Sequence, residues 1–294
     1  VLRAKGINKE MVLRGLDEGS LEVKTQEDFL TALGRENCGI GFTGGGDCAG
    51  IADFIASLCR HLNPHLTMLG VKYAGKGLMS EPEDFNRQLI IVDGLVAEDF
   101  VGQSSTPFGS SREDPLKKDE DAGKTKANVS GYRFLYATGG NDHLGLLERF
   151  AREFPEMIVV GTFKSIDGDG WINGRPAQML GFHTAVGDYQ RAIWAVAQNA
   201  DTHKQWHVIE TFGRGAGKLT FEAARKYPSN FSQLQKEEQR KITEYRDAIM
   251  ILVPEKPTSL RSIAGQAKRI QQREGNVVIV AAEGFTPFIF RAGV

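Results

Sequence analysis

Long hydrophobic runs are missing from the sequence: no apolar stretch approaches the roughly eighteen residues that a membrane-spanning helix needs. Net charge is nearly missing too. Thirty-seven acidic residues offset 36 basic ones, for a formal −1, which leaves no global basic field to gather nucleic acid or an anionic membrane surface. Cysteine is sparse. Cys38, Cys48 and Cys59 lie ten and eleven residues apart, a pattern that fits no zinc site, and three is an odd number for a disulfide framework. A reduced, cytoplasmic compartment is the expectation. Neither a secretory n-h-c pattern nor an initiator Met opens the chain at Val1, so this end reads as trimmed. No solenoid repeat is visible. What remains, 41% hydrophobic and 25% charged in 294 residues, suits two α/β lobes or one large one.

What is present is a sentence written several times: strand, glycine turn, helix. Residues 1–36 are polar and read as an N-terminal extension. Then Cys38-Gly-Ile-Gly-Phe-Thr is a short apolar run, Gly44-Gly45-Gly46-Asp47 a turn, and Ile51, Phe54, Ile55 and Leu58 recur at helical spacing. Residues 132–138 repeat the strand, Gly139-Gly140-Asn141-Asp142 the turn, and Leu144, Leu147 and Phe150 the helix. Residues 157–161 form another buried strand, running into Phe163-Lys164-Ser165-Ile166-Asp167-Gly168-Asp169. A third unit has a strand over 207–212, the glycine-rich 213–217, and a helix through Phe221 and Ala224. Residues 248–255 and 277–284 are two more strands, with helices over about 181–199 and 258–274. Strands alternating with helices predict an α/β fold of mainly parallel sheets, whose ligands bind outside the carboxyl ends of the strands. The charge-dense stretch 110–126 carries both signs and reads as a solvated loop.

Glycine turns at strand ends suit phosphate. Backbone approach to an anion needs residues without Cβ, and a following helix offers free N–H groups and the positive end of its dipole. Gly44–Asp47 and Gly139–Asp142 therefore read as two halves of one polyphosphate cradle. Gly39-x-Gly41-x-x-Gly44 formally matches the dinucleotide fingerprint, but its first two glycines lie inside the strand and read as close-packed positions. Asp142 could hold Mg2+, which needs only one or two carboxylates beside phosphate oxygens. Asp167 and Asp169 put two acids on one loop, one to take a proton from an attacking hydroxyl and one to orient it. Lys164 adds a charge for a transferring phosphoryl group. Arg214, among glycines, suits phosphate or sugar hydroxyls, and Glu283 could accept sugar hydroxyls.

Taken in order, these residues resemble the phosphofructokinase family. Thr43-Gly-Gly-Gly-Asp-Cys-Ala-Gly-Ile-Ala matches its opening GGDxxGxN, Gly139-Gly-Asn-Asp its GGDD, and Phe163-Lys-Ser-Ile-Asp-Gly-Asp its PKTIDND. Leu180-Gly-Phe-His-Thr-Ala matches FGFxTA, and Val208-Ile-Glu-Thr-Phe-Gly-Arg-Gly-Ala-Gly matches VxExMGRxxG. The strand ends Pro254-Glu255 and Glu283-Gly284 come next, so the likeness covers about 38–290. The resemblance implies two Rossmann-like, phosphofructokinase-like lobes: a donor lobe over 37–180 and a sugar-phosphate lobe over 181–294 without the family's C-terminal part. It implies phosphoryl transfer to the 1-hydroxyl of fructose 6-phosphate, Mg2+ as cofactor, and a homo-oligomer.

Carried over by position, Gly45 and Arg112 would contact the donor phosphates and Asn141 would hold the metal. Asp167 would be the general base, and Ser165 and Asp169 would line the acceptor site. Phe212, Gly213, Arg214 and Glu283 would bind the sugar phosphate. Asp142 and Lys164 match the members that use pyrophosphate: a carboxylate there would repel the α-phosphate of ATP, and the lysine would neutralise the charge of a shorter donor. Three positions depart from the pattern. Asn141 stands where an Asp is usual, Gln103 where a donor-phosphate Arg is usual, and Gln205 where an Arg often crosses a subunit interface. These departures leave open a catalytically weak partner subunit, and an ATP-dependent 6-phosphofructokinase is a further alternative.

Overall fold

A strand written as one uncharged run should be covered on both faces, and all six residues of β1 (Cys38–Thr43) are buried. It belongs to the first of two compact units, Val1–Lys164 and Ser165–Val294. The computed structural model describes residues 26–103, 106–172, 174–225 and 231–285. β2 (Thr67–Val71) pairs parallel on one side of β1, and β4 (Phe134–Gly139) on the other. β3 (Leu89–Val92) runs antiparallel along β2, and β5 (Ile158–Ser165) parallel along β4. These five strands lie in the order β3-β2-β1-β4-β5. From β1 the chain goes first to one side and later returns to the other. The carboxyl ends of β1 and β4 therefore flank a topological switch point, the place where open α/β sheets bind ligands.

Among the described residues six α-helices accompany this sheet: α1 (Gln26–Leu33), α2 (Ile51–Leu62), α3 (Gly75–Leu78), α4 (Gly94–Phe100), α5 (Asp119–Val129) and α6 (Asn141–Glu153). In α2 the buried residues Ile51, Ile55 and Cys59 recur at four-residue spacing, with Ala52 and Ala56 beside them. Ile40, Phe42, Leu69, Leu135 and Phe150 are centred in the core these elements enclose.

Two expectations need correction here. Residues 26–36 are not a polar extension, because α1 puts Leu30 and Leu33 into that same core. Phe29, Leu30, Ala32 and Leu33, at three- and four-residue spacing, share the helical face that meets the core. Residues 1–25 lie outside the described part. The stretch 110–126 is not all loop, since α5 begins within it. Asp119, Glu120 and Asp121 sit in its first turn, where acids favour the helix dipole. Its buried Asn128 amide donates to the carbonyls of Leu78 and Ser80 at 2.9 and 2.8 Å.

In the second unit, β6 (Trp171–Ile172) and β7 (Arg175–Pro176) form a small antiparallel ribbon, and β8 (Leu180–Gly181) leads into the long α7 (Phe182–His203). β9 (Trp206–Thr211), α8 (Lys218–Arg225), α9 (Lys236–Asp247), β10 (Ile249–Leu252), α10 (Leu260–Glu274) and β11 (Val277–Ala282) complete it. The sheet order is β10-β11-β9, parallel throughout, and every residue of the central β11 is buried. The units divide after Lys164, earlier than the 180/181 boundary expected from the sequence. Residues just past Lys164 pack against α7 and α8: a Cβ on Gly168 would run into the Phe182 ring and the Lys218 stem.

Replacing Leu33 by Ala should destabilise the first unit by about 2–5 kcal/mol, the usual cost of a large-to-small change in a core. A lowered urea midpoint checks this, and an unchanged midpoint would mean that α1 is dispensable.

Candidate functional site

The register of β1 with β4 sets Thr43 opposite Thr138, so the two glycine turns start side by side. The Gly44 N–H donates to the Thr138 carbonyl at 2.8 Å. A third segment joins them. Gly44 makes a parallel bridge with Ser111, the Gly45 N–H donates to the Ser111 carbonyl at 3.2 Å, and the Thr43 hydroxyl donates to the Gly109 carbonyl at 2.8 Å. The Ser110 hydroxyl donates to the Gly45 carbonyl. The stretch expected to be a plain loop thus braces the first turn and carries Arg112, exposed, beside it.

Glycine is required here for space as well as conformation. Gly45 has φ +80°, and Cβ atoms on Gly44 or Gly139 would collide with the His143 side chain. A Cβ on Gly46 would meet nothing within 4 Å, so the outer side of the turn is open to a ligand. Lys164 is buried at the end of β5, and its ammonium donates to the Gly46 carbonyl. Asp47 and Asp142 are exposed, Asp142 in the first turn of α6. The Asn141 side chain is not among those described, nor are Ser104 and Ser105; Gln103 is exposed. Among the described residues no three His, Cys, Asp or Glu side chains gather as a metal cluster.

In the second unit the Ser165 hydroxyl donates to Asp169 Oδ1 at 2.8 Å and accepts from the Asp167 N–H at 3.1 Å. This closes a tight loop around Gly168, φ +76°. Ser165, Asp167 and Asp169 are thereby brought together, all partly exposed. The parallel pairing of β9 with β11 places their ends side by side: the Glu283 N–H donates to the Thr211 carbonyl at 2.9 Å, and Arg214 Nε is 4.0 Å from Glu283 Oε1. Phe212 is exposed and set edge-on to the Tyr189 ring. Gly213 has φ +123°, and a Cβ on Gly284 would strike the Arg214 backbone. Phe212, Gly213, Arg214 and Glu283 therefore form one cluster. Gln205 is exposed just before β9.

His143, Ser110 and Ser111 were missed by sequence reasoning. Glycine at both turns hinted that something large fills the space beside them, but only the strand pairing says it is His143. Burial, and then the nearby Lys164 charge, lower the pKa of His143. Asp142, Asp114 and a hydrogen bond with the Ser111 main chain oppose that shift. The two leading effects both favour the uncharged ring.

Adjacent parallel strands ending in glycine turns at a switch point define a doubly wound α/β protein whose site is built from main chain. The chain belongs to the phosphofructokinase family, whose profile matches residues 39–291. It is 30% identical over 246 residues to a pyrophosphate–fructose 6-phosphate 1-phosphotransferase of Dictyoglomus thermophilum, covering 82% of this chain and 62% of that protein. It is 26% identical over 254 residues to an ATP-dependent 6-phosphofructokinase of Synechocystis sp., covering 81% and 62%. The chain thus spans about three fifths of the length of these relatives. A crystal structure of a pyrophosphate-dependent phosphofructokinase from Nitrosospira multiformis has a similar fold, with a TM-score of 0.69 at 14% identity over 85% of this chain and 61% of that one. Among the described residues no helix is long and apolar enough to cross a membrane.

All three thiols are buried, and burial pushes Cys38 and Cys59 up to about 12. At pH 8.5 their thiolate fraction should be roughly a thousandth of that of a free cysteine. In iodoacetamide labelling followed by mass spectrometry, Cys38 and Cys59 should stay unmodified in the folded chain and react fully in denaturant.

Proposed function

We propose that this chain forms part of a phosphotransferase that moves a phosphoryl group from pyrophosphate to the 1-hydroxyl of fructose 6-phosphate with Mg2+. The observation that carries the donor choice is the pair of charges beside the glycine turns: Asp142 exposed at the start of α6, and Lys164 buried against the Gly46 carbonyl. A carboxylate at Asp142 repels the α-phosphate that ATP would bring, and Lys164 supplies the charge that a two-phosphate donor leaves uncovered. Relatives with either donor support the family reaction.

Each group has a role in this reading. The Gly45 and Gly46 backbone and Arg112 hold the donor phosphates. Lys164 balances negative charge on the phosphoryl group in transit. Asp167 takes the proton from the attacking 1-hydroxyl, with its loop held by the Ser165–Asp169 hydrogen bond. Phe212, Gly213 and Arg214 receive the sugar phosphate, and Glu283 accepts from sugar hydroxyls. Mg2+ would be held by phosphate oxygens and the amide oxygen of Asn141, and would supply charge neutralisation. A cytoplasmic homo-oligomer goes with this reading. The exposed Trp206 and Val208, on one side of β9, support a further contact there.

The test is a transfer assay by phosphorus NMR with pyrophosphate or ATP, with and without Mg2+. We expect fructose 1,6-bisphosphate from pyrophosphate only. Transfer from ATP alone would overturn the donor choice. Binding of pyrophosphate without any transfer would favour a weakly active partner subunit, for which Asn141 and Gln103 argue. In that case Asn141→Asp should leave transfer absent. Within the first reading, Asp167→Asn should cut turnover by ~10²–10⁴-fold while pyrophosphate affinity is kept.

A further inference from the structure

We propose that His143 is a positioning residue: it is wedged between the two glycine turns and holds the donor-phosphate cradle in shape. This rests on the phosphate-binding reading of those turns. Three chain segments converge on the side chain. One leaves the end of β1, where a Cβ on Gly44 would occupy the place of the imidazole. Another ends β4, where a Cβ on Gly139 would strike the root of the same side chain. The third is the bracing strip, whose Ser111 main chain comes close enough to the ring to bear on its charge. Ser111 in turn accepts from the Gly45 N–H and bridges Gly44. His143 is 7% exposed, too enclosed to meet a donor bound on the open side of Gly46.

The arrangement explains why both turns carry glycine at those places. The glycines make room, and the ring takes the room back. Turns free of side chains would otherwise have little to fix their spacing, and ordering them on ligand binding would weaken affinity. A ring packed against both turns, beside a strip that is itself bonded to the first of them, fixes that spacing before the ligand arrives. Support of this kind, from residues behind the contact surface, sets how well a contact geometry is held.

The test compares His143→Ala with His143→Phe, which refills the volume with a ring that carries no polar atom. Two readouts are taken: hydrogen exchange along the chain, and calorimetric binding of pyrophosphate–Mg2+ and, separately, of fructose 6-phosphate. We expect faster exchange at Gly44 and Gly45 in both variants, more so in His143→Ala. Protection over β9–β11 and fructose 6-phosphate affinity should stay as in the wild type. Pyrophosphate affinity should fall by ~10–100-fold in His143→Ala, the scale of a small misplacement in a binding site. Wild-type exchange at Gly44 and Gly45 in both variants would overturn the proposal. So would an equal loss of protection throughout both units, which would make His143 only a core residue. If the wild type binds no pyrophosphate, the donor reading falls, and the wedge is judged on exchange alone.

Discussion

The parallel pairing of β1 with β4 is the interaction on which the first unit depends. In that register two strand ends finish level, and both must turn away at once into helices. A Cβ at either turn would run into the same side chain, His143, at one end or the other. Glycine at 44 and 139 leaves that space free, and His143 fills it. The result is a short wall of main-chain groups, closed behind by an imidazole and open in front.

The second unit applies the same device to other chemistry. β9 and β11 also pair in parallel, and their ends also carry glycines at close approaches, Gly213 against the Ala216 carbonyl and Gly284 against the Arg214 backbone. Here the turns present side chains: Phe212, Arg214 and Glu283. The exposed Arg214–Glu283 pair, 4.0 Å apart, adds little stability. Its interest lies in where it holds two groups of opposite charge. The Glu255 carboxylate accepts from the Gly217 N–H at 2.8 Å and ties the end of β10 to the glycine-rich stretch. The Pro-Glu strand end is thus structural in this chain, whatever else it does.

Burial and polarity are balanced locally. Lys164 is buried, and its ammonium is hydrogen-bonded to the Gly46 carbonyl, which offsets part of the cost of removing it from water. Tyr136 is buried as well, with its phenol raised to about 12 and bonded to Thr138. It stacks on Phe54 of α2 with ring centroids 5.7 Å apart. Such contacts join the glycine-bearing strands to the helices behind them, so the turns rest on a packed base.

Much of this was legible along the chain, because it is local. An uncharged run such as Cys38–Thr43 can only be a covered strand, three glycines followed by Asp can only be a turn, and Ile51, Ile55 and Cys59 can only share a helix face. The ordered series of such sentences determined the fold class and the family. What spacing could not reveal is what meets across long separations. Leu30 and Leu33 looked like parts of a polar tail until the core received them. Residues 110–126 looked like solvent-facing loop until Ser111 was seen bridging Gly44. His143 carried no signal, because its place is defined by two glycines nearly a hundred residues apart in sequence and adjacent only through the pairing of β1 with β4. The sequence alone thus determined which residues line the two glycine turns. Tertiary structure alone decided what stands behind them, since strand register, and not sequence distance, sets which side chain fills the space that a missing Cβ leaves.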